Sequence, residues 1–256
     1  MELVYCIDIG NTRTHCACVE CCCGNFLVRN SFDYSSKNFA ELFESEHLFE
    51  NSGANAVSWC SVVPKYSEML ATKLDGLEAF ALTYDKSPIE LDIYSPSQLG
   101  QDRIADAVGA GVFLQPPYIV VDMGTAVTID LVDAQGRYAG GAIAPGMNAF
   151  AAYLGERAAQ LPVINPAVAD CSLVIGKDTK EAMFVGCAKG FCKLIDGLIE
   201  DIGEAYFNDD DIISKTIFTG GSTDLLPKDW VGRRLINRDL AHIGLAKSYL
   251  INKGIL

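Results

Sequence analysis

Cys6-Ile7-Asp8-Ile9-Gly10-Asn11-Thr12 and Val121-Asp122-Met123-Gly124-Thr125-Ala126 are two copies of one pattern, set about half a chain apart. Each places an aspartate, one apolar residue, a glycine and a nearby hydroxyl after an apolar run, Leu3 to Ile7 in the first copy and Tyr118 to Val121 in the second. Such runs read as buried strands, which puts Asp8 and Asp122 at strand ends. Gly10 and Gly124 permit a tight turn and a close backbone approach to a phosphate, and Asn11, Thr12 and Thr125 add donors. Thr14 to Val19 and Ala126 to Val132 then return as second strands, so each copy reads as the first hairpin of one half of the molecule. Taken singly, a strand-end aspartate is more often a turn cap. Two copies in matching context favour phosphate or cation handling.

The rest of the chain alternates strands and helices, which indicates an α/β fold. In the first half, strands are expected around 26–32, 56–63 and 79–83, and helices around 38–49, 65–74 and 101–112. The paired prolines of Gln115-Pro116-Pro117 cannot continue a helix and mark the boundary, giving halves of 1–115 and 116–256. In the second half, strands at 118–122, 126–132 and 137–143 precede a helix from Gly146 to about 159. One long helix over 179–206, a strand at 216–219, Gly220-Gly221 and a helix around 240–250 complete it. Two halves of matching order are expected to enclose a cleft. The apolar stripe of the long helix, Ala182 to Ile202, fits either an internal core or a dimer seam.

The bulk properties exclude whole classes of function. A chain of 256 residues, half of them hydrophobic, can bury a substantial core. A net charge of −13 opposes general binding to nucleic acid or an anionic membrane, since both need a basic surface. Arg13 and Arg103 remain as local cations for a small anionic substrate. The start Met1-Glu2-Leu3-Val4-Tyr5 does not read as a signal peptide and no apolar run has the length of a membrane span, so a cytoplasmic location is expected. In that compartment the ten cysteines are expected to be reduced. Cys18-x-x-Cys21 has metal-ligand spacing, but no second pair completes a zinc site, so Cys16 to Cys23 read as structural thiols.

No glycine-x₄-glycine-lysine loop, protein-kinase signature or nucleophile elbow is present. Phosphate handling therefore falls to the two strand-end turns, with Asp8 and Asp122 as cation-holding or water-orienting carboxylates. Magnesium suits them, because it takes few protein carboxylates and keeps waters and phosphate oxygens. Gly220-Gly221 after a strand reads either as a nucleotide-contacting turn or as an ordinary loop. Gly100-Gln101-Asp102-Arg103 opens an apolar helix, placing a carboxylate and a guanidinium where anions are favoured. Asp102 fits a base that takes the proton of an attacking hydroxyl, a role that contributes about 10²–10⁴-fold in rate. It also fits a helix cap.

Taken together with Ser61-Val62-Val63-Pro64, Gly140-Gly141-Ala142-Ile143-Ala144-Pro145-Gly146 and Thr219-Gly220-Gly221, these segments resemble the type III pantothenate kinases over residues 5–250. The resemblance implies two ribonuclease-H-like halves of the acetate and sugar kinase, heat-shock-70 and actin superfold, with an interdomain cleft. It implies transfer of the ATP γ-phosphate to pantothenate, giving 4′-phosphopantothenate at the first step of coenzyme A synthesis. By the same resemblance Asp8, Gly10, Asn11, Thr12, Arg13 and His15 form the ATP phosphate loop, and Thr125, Gly220 and Gly221 also contact the nucleotide. Asp102 becomes the proton acceptor, while Tyr94, Gly100, Gln101, Asp102 and Arg103 contact pantothenate. The resemblance further implies that Asp122 binds a monovalent cation, potassium or ammonium, and that Thr179 completes the pantothenate site across a homodimer interface. His15 stands where many members carry lysine, which implies a weaker phosphate contact there unless Arg13 compensates. The rival readings are another small-molecule kinase or phosphatase on this superfold and a nucleotide-binding regulatory protein. Loss of Asp102 or Asp122 would favour the latter, and both are present.

Overall fold

The computed structural model describes residues 1–45, 48–158, 160–166, 172–207, 211–232 and 234–256. Its framework is two five-stranded mixed sheets with one connection pattern, each built on a copy of the repeated motif. In the first, β1 (Glu2–Ile9) pairs antiparallel with β2 (Arg13–Cys22), which pairs with β3 (Asn25–Ser35). On its other side β1 lies parallel to β4 (Ala56–Ser61), and β4 to β5 (Ala79–Ala81). In the second, β6 (Tyr118–Met123) pairs antiparallel with β7 (Ala126–Val132), and β8 (Tyr138–Pro145) follows at the edge. Across β6 lie parallel β9 (Thr216–Thr219) and β10 (Leu235–Ile236). The strand orders β3-β2-β1-β4-β5 and β8-β7-β6-β9-β10 therefore correspond strand for strand, as the duplicated motif predicts.

The helices are α1 (Ser36–Ser45), α2 (Leu48–Ser52), α3 (Pro64–Lys73) and α4 (Gln101–Ala110). After these come α5 (Met147–Arg157), α6 (Thr179–Phe184), α7 (Gly190–Tyr206), α8 (Lys228–Val231) and α9 (Leu240–Asn252). Strand alternation sorts β1 by face. Tyr5, Ile7 and Ile9 join Val57, Trp59, Phe39 and Leu70 in one core, so Cys6 and Asp8 turn to the opposite face. On that face Ser58 Oγ donates to Leu245 O of α9 at 2.7 Å. In the second sheet Val121, Met123, Val127 and Ile129 pack with Phe191, Ile195 and Ile199 of α7.

Several boundaries depart from the sequence reading. The strand expected at 56–63 stops at Ser61, because Pro64 opens α3 and proline suits the first helical turn. The expected helix 38–49 starts earlier, at Ser36; its residues 46 and 47 lie outside the described residues, and Leu48 begins α2. The helix after Gly146 ends at Arg157, and residue 159, its expected end, also lies outside the described residues. The 179–206 helix is interrupted by a π-turn at Val185–Lys189. Strand β3 runs to Ser35, three residues beyond expectation, because β2 is itself long enough to pair with it there.

By contact the chain divides into two compact units. One comprises Met1–Leu114, Gly136–Tyr138 and Asp239–Leu256; the other comprises Gln115–Gln135 and Ala139–Arg238. The packed units depart from the linear halves 1–115 and 116–256 at Gly136–Tyr138 and at Asp239–Leu256, and by one residue at Gln115. Helix α9 belongs with the first sheet because its axis crosses α4 almost backbone to backbone: a Cβ on Gly109 would strike Leu240 O, and one on Gly244 would strike Ala105 O.

Candidate active site

The turn between β1 and β2 is held from within and from below. Gly10 N donates to Arg13 O at 2.9 Å, and a Cβ on Gly10 would lie 3.1 Å from that oxygen. Ser36, at the start of α1, donates its hydroxyl to Gly10 O at 2.8 Å and its amide to Thr12 O at 3.1 Å. Buried Thr14 pairs with the same hydroxyl at 3.1 Å. Asn11, Thr12 and Arg13 are left exposed on a braced loop. Ser36 did not feature in the sequence reading. The signal was there, in a serine preceding a helical stretch.

Strand register places four side chains in one row across the first sheet: Asp33 on β3, His15 on β2, Asp8 on β1 and Cys60 on β4. His15 Nδ1 lies 2.5 Å from Asp33 Oδ1, and Arg13 reaches the other oxygen of Asp33 at 3.8 Å. At the far end the Cys60 thiol donates to Asp8 Oδ1 at 3.3 Å. Burial pushes the Cys60 thiol well up, and the carboxylates of Asp8, Asp102 and Asp106 push it further. The charges of all three acids are therefore felt at one buried sulfur. Asp8 and Asp102, nearly a hundred positions apart in the chain, act on the same group.

The start of α4 is fixed to the same strand. Gln101 Oε1 accepts from Ser61 N at 3.0 Å, so the residue just after Cys60 anchors the helix. Asp102 Oδ1 accepts from Arg103 N at 2.8 Å, which realises part of the capping role weighed for it, while Gly100 occupies the N-cap position with no side-chain cap. A Cβ on Gly100 would collide with the Asp102 carboxylate. Arg103 lies over the Tyr138 ring, 5.8 Å from its centroid. Tyr94, by contrast, stands fully exposed. Cys60, Asp106 and Gln101's bond were not foreseen as parts of a site, because each depends on a contact between elements.

In the second unit Asp122 is the penultimate residue of β6 and lies beside Gly220, which follows β9. Gly220 has φ 91°, and a Cβ there would strike the Asp122 carboxylate and come within 2.6 Å of Met123 N and O. Gly124 N donates to Ala126 O at 2.9 Å and Gly146 N to Thr125 O at 2.9 Å, leaving Thr125 exposed at the turn. Ser222 Oγ reaches Gly124 O at 3.5 Å. Gly221 is exposed and opens a short 3₁₀ turn. The structure thus groups Asp122, Thr125 and Gly220 around one strand-end turn. Thr179 begins α6, capped by Asp178, whose Oδ1 accepts from Glu181 N at 2.8 Å. It lines an apolar pocket of about 410 Å³ with Phe150, Leu154, Met183 and Cys187.

Among the described residues no cluster of three or more His, Cys, Asp or Glu forms a metal cage. A divalent cation would then be held by one carboxylate together with substrate phosphates, the mode magnesium favours, and Asp8 at the head of the braced loop fits it. In the cysteine-rich segment Cys16, Cys18 and Cys21 are buried, while Cys22 and Cys23 are exposed at the β2–β3 turn. Among the described residues no helix is long and apolar enough to cross a membrane.

Duplicated five-stranded sheets, each with a glycine turn behind a strand-end aspartate, define a member of the acetate and sugar kinase, heat-shock-70 and actin superfold. Solved structures agree on that fold. A Baf family transcriptional activator from Campylobacter jejuni matches with a TM-score of 0.66 at 21% identity, covering 98% of this chain and 100% of that one. The ROK hexokinase of Thermus thermophilus matches with a TM-score of 0.54 at 11% identity, covering 98% and 99%. Within this class the chain belongs to the type III pantothenate kinase family, whose model matches residues 4–201. A type III pantothenate kinase of Thermus thermophilus is 31% identical over 97% of this chain and 99% of its own. Another, from Chlorobaculum parvum, is 34% identical over 86% and 84%.

Proposed function

We propose that this chain transfers the γ-phosphoryl group of ATP to the primary hydroxyl of pantothenate, giving 4′-phosphopantothenate and ADP as the first step of coenzyme A synthesis. Family membership supports the substrates. The observation that carries the chemistry is the hydrogen bond that ties Asp8 to buried Cys60, a thiol that also feels the charge of the candidate base Asp102. As the hydroxyl oxygen forms its bond to the γ-phosphorus, Asp102 accepts the hydroxyl proton and the β–γ bridging oxygen leaves with ADP. Catalysis of this kind is mostly positioning and charge stabilisation.

In this reading the loop from Gly10 to Arg13, with His15 behind it, binds the ATP phosphates, and Thr125, Gly220 and Gly221 contact the nucleotide. Asp8 holds a divalent cation, which when bound offsets charge on the phosphates. Asp122 holds potassium or ammonium. Gly100 to Arg103 and Tyr94 bind pantothenate, and Thr179 completes that site from the second protomer of a homodimer working in the cytoplasm. Tyr94's full exposure suits a residue that gains its contacts only on binding or assembly. The division of the chain into a half 1–115 with the first phosphate loop and the pantothenate segment, and a half 116–256 with the second phosphate loop and the nucleotide and dimer contacts, is part of this proposal.

The test is ATP-dependent formation of phosphopantothenate in potassium or sodium, for the parent and for Asp102→Asn. Potassium-stimulated product that falls by about 10²-fold or more in the variant supports acceptor and base together. A folded parent without turnover sinks the pantothenate assignment, and equal activity in the variant removes Asp102 from the mechanism.

A further inference from the structure

We infer that Cys60 is a positioning residue of the phosphate site, its thiol holding the Asp8 carboxylate at the head of the first loop. The inference rests on the reading of Asp8 as a phosphate-site carboxylate. Three observations carry it. The parallel register of β1 and β4 sets Asp8 directly opposite Cys60, and strand alternation turns both onto the face away from the Tyr5, Ile7 and Trp59 core. The sulfur has no solvent exposure and lies 3.3 Å from Asp8 Oδ1. The strand that carries it is pinned on both sides: Ser58 Oγ to Leu245 O at 2.7 Å, and Ser61 N to Gln101 Oε1 at 3.0 Å. Cys60 therefore sits between two anchors, and its sulfur has little freedom to follow Asp8 if the carboxylate moves.

The choice of group matters chemically. A lysine or arginine opposite Asp8 would orient the carboxylate but neutralise it, and an apolar side chain would leave it unguided. A thiol is a weak, uncharged donor. It fixes one oxygen of Asp8 while leaving the full negative charge for a cation and its phosphates. A packing role alone, the usual role of a buried cysteine, would not require a carboxylate oxygen at hydrogen-bonding distance.

The experiment measures binding of a non-hydrolysable ATP analogue with magnesium by calorimetry, on the full chain without pantothenate. It compares the parent, Cys60→Ala and Cys60→Ser, and repeats Cys60→Ala in an Asp8→Asn background. The expected result is affinity weaker by about three- to tenfold in Cys60→Ala, the net effect of losing one hydrogen bond from a weak donor. Cys60→Ser keeps a donor of similar size and binds as the parent does. In the Asp8→Asn background Cys60→Ala has no further effect, as the two changes share one interaction. Should Cys60→Ala melt below the assay temperature, Cys60→Val supplies a donor-free side chain that fills the site. Unchanged binding in the donor-free variant, or an equal loss with and without Asp8, overturns the inference. A parent that binds the analogue but leaves pantothenate untouched sinks only the substrate assignment, whereas a folded parent that binds no analogue overturns this inference together with the role given to Asp8.

Discussion

Two glycines flank the chemistry and should fail in opposite ways when a methyl group is added. At Gly220 the new Cβ meets backbone atoms of Met123 at 2.6 Å, and φ is 91°, a region that L side chains avoid. Neither strain can be relieved by a rotamer change. Gly220→Ala should cost about 1–3 kcal/mol of stability in urea unfolding, while Gly221→Ala, with nothing within 4 Å, should cost little beyond the scatter of surface changes. At Gly100 the obstruction is the Asp102 carboxylate, a side chain that can swing away. With Asp102 as the proposed base, Gly100→Ala should leave the melting temperature near the parent's yet lower kcat by about 10²-fold, as expected when such a group is displaced by an ångström or so. A stable, fully active Gly100→Ala enzyme would show that the position of Asp102 is not critical. The motif Gly100 to Arg103 was legible in the sequence because its parts are contiguous. The partner that makes Gly220 necessary was not, because it comes from a neighbouring strand.

The β2–β3 hairpin shows where pattern reading divides a segment correctly only in part. Cys16 and Cys18 alternate into the core as the period of two requires, so the structural reading holds for them. Cys22 and Cys23 fall on the turn, where Cys23 adopts φ 51° and Gly24 φ 81°, and alternation gives no information there. The Cys22 thiol donates to the Cys23 sulfur at 3.8 Å, and that bond, with the charge of a Cys23 thiolate, moves its pKa up. Because the thiolate is the nucleophile, a raised pKa means less of it at neutral pH. Alkylation of Cys22 in the native protein should therefore be slow near neutrality and climb at higher pH than for a free cysteine. Cys23→Ala should shift that profile toward lower pH, read by mass spectrometry of the Cys22 peptide. Identical profiles would mean that the sulfurs do not interact in solution. The long second-half helix taught a related lesson. Its apolar stripe indicated a helix through this stretch, but the π-turn at Val185–Lys189 is a backbone hydrogen-bonding change that a pattern of apolar residues does not report.

At the scale of the whole chain, the repeat of aspartate, spacer and glycine was enough to read the duplication, since each copy nucleates a sheet of the same strand order. The destination of the last eighteen residues was not readable, because α9 is apolar nearly all round and its sequence fits any core. Geometry decides it. Gly109 and Gly244 let α9 and α4 approach until their backbones touch, and Ser58 reaches Leu245 from the sheet that carries Asp8. The first unit is therefore completed by residues that follow the whole second unit in sequence. Deleting Asp239–Leu256 should strip the cover from the Asp8 face of the first sheet and expose Cys6, Ile104 and Val108 of its core. Amide exchange should then lose protection throughout β1, β2, β4 and α4. Protection in β6, β7, β9 and α7 should persist, since their core of Val121, Ile129, Phe191 and Ile195 contains nothing from α9. Retained protection in β1 and α4 would show that α9 is dispensable for the first unit. Uniform loss across both sheets would show that the two units fold as one cooperative block rather than as the separate bodies their contacts define.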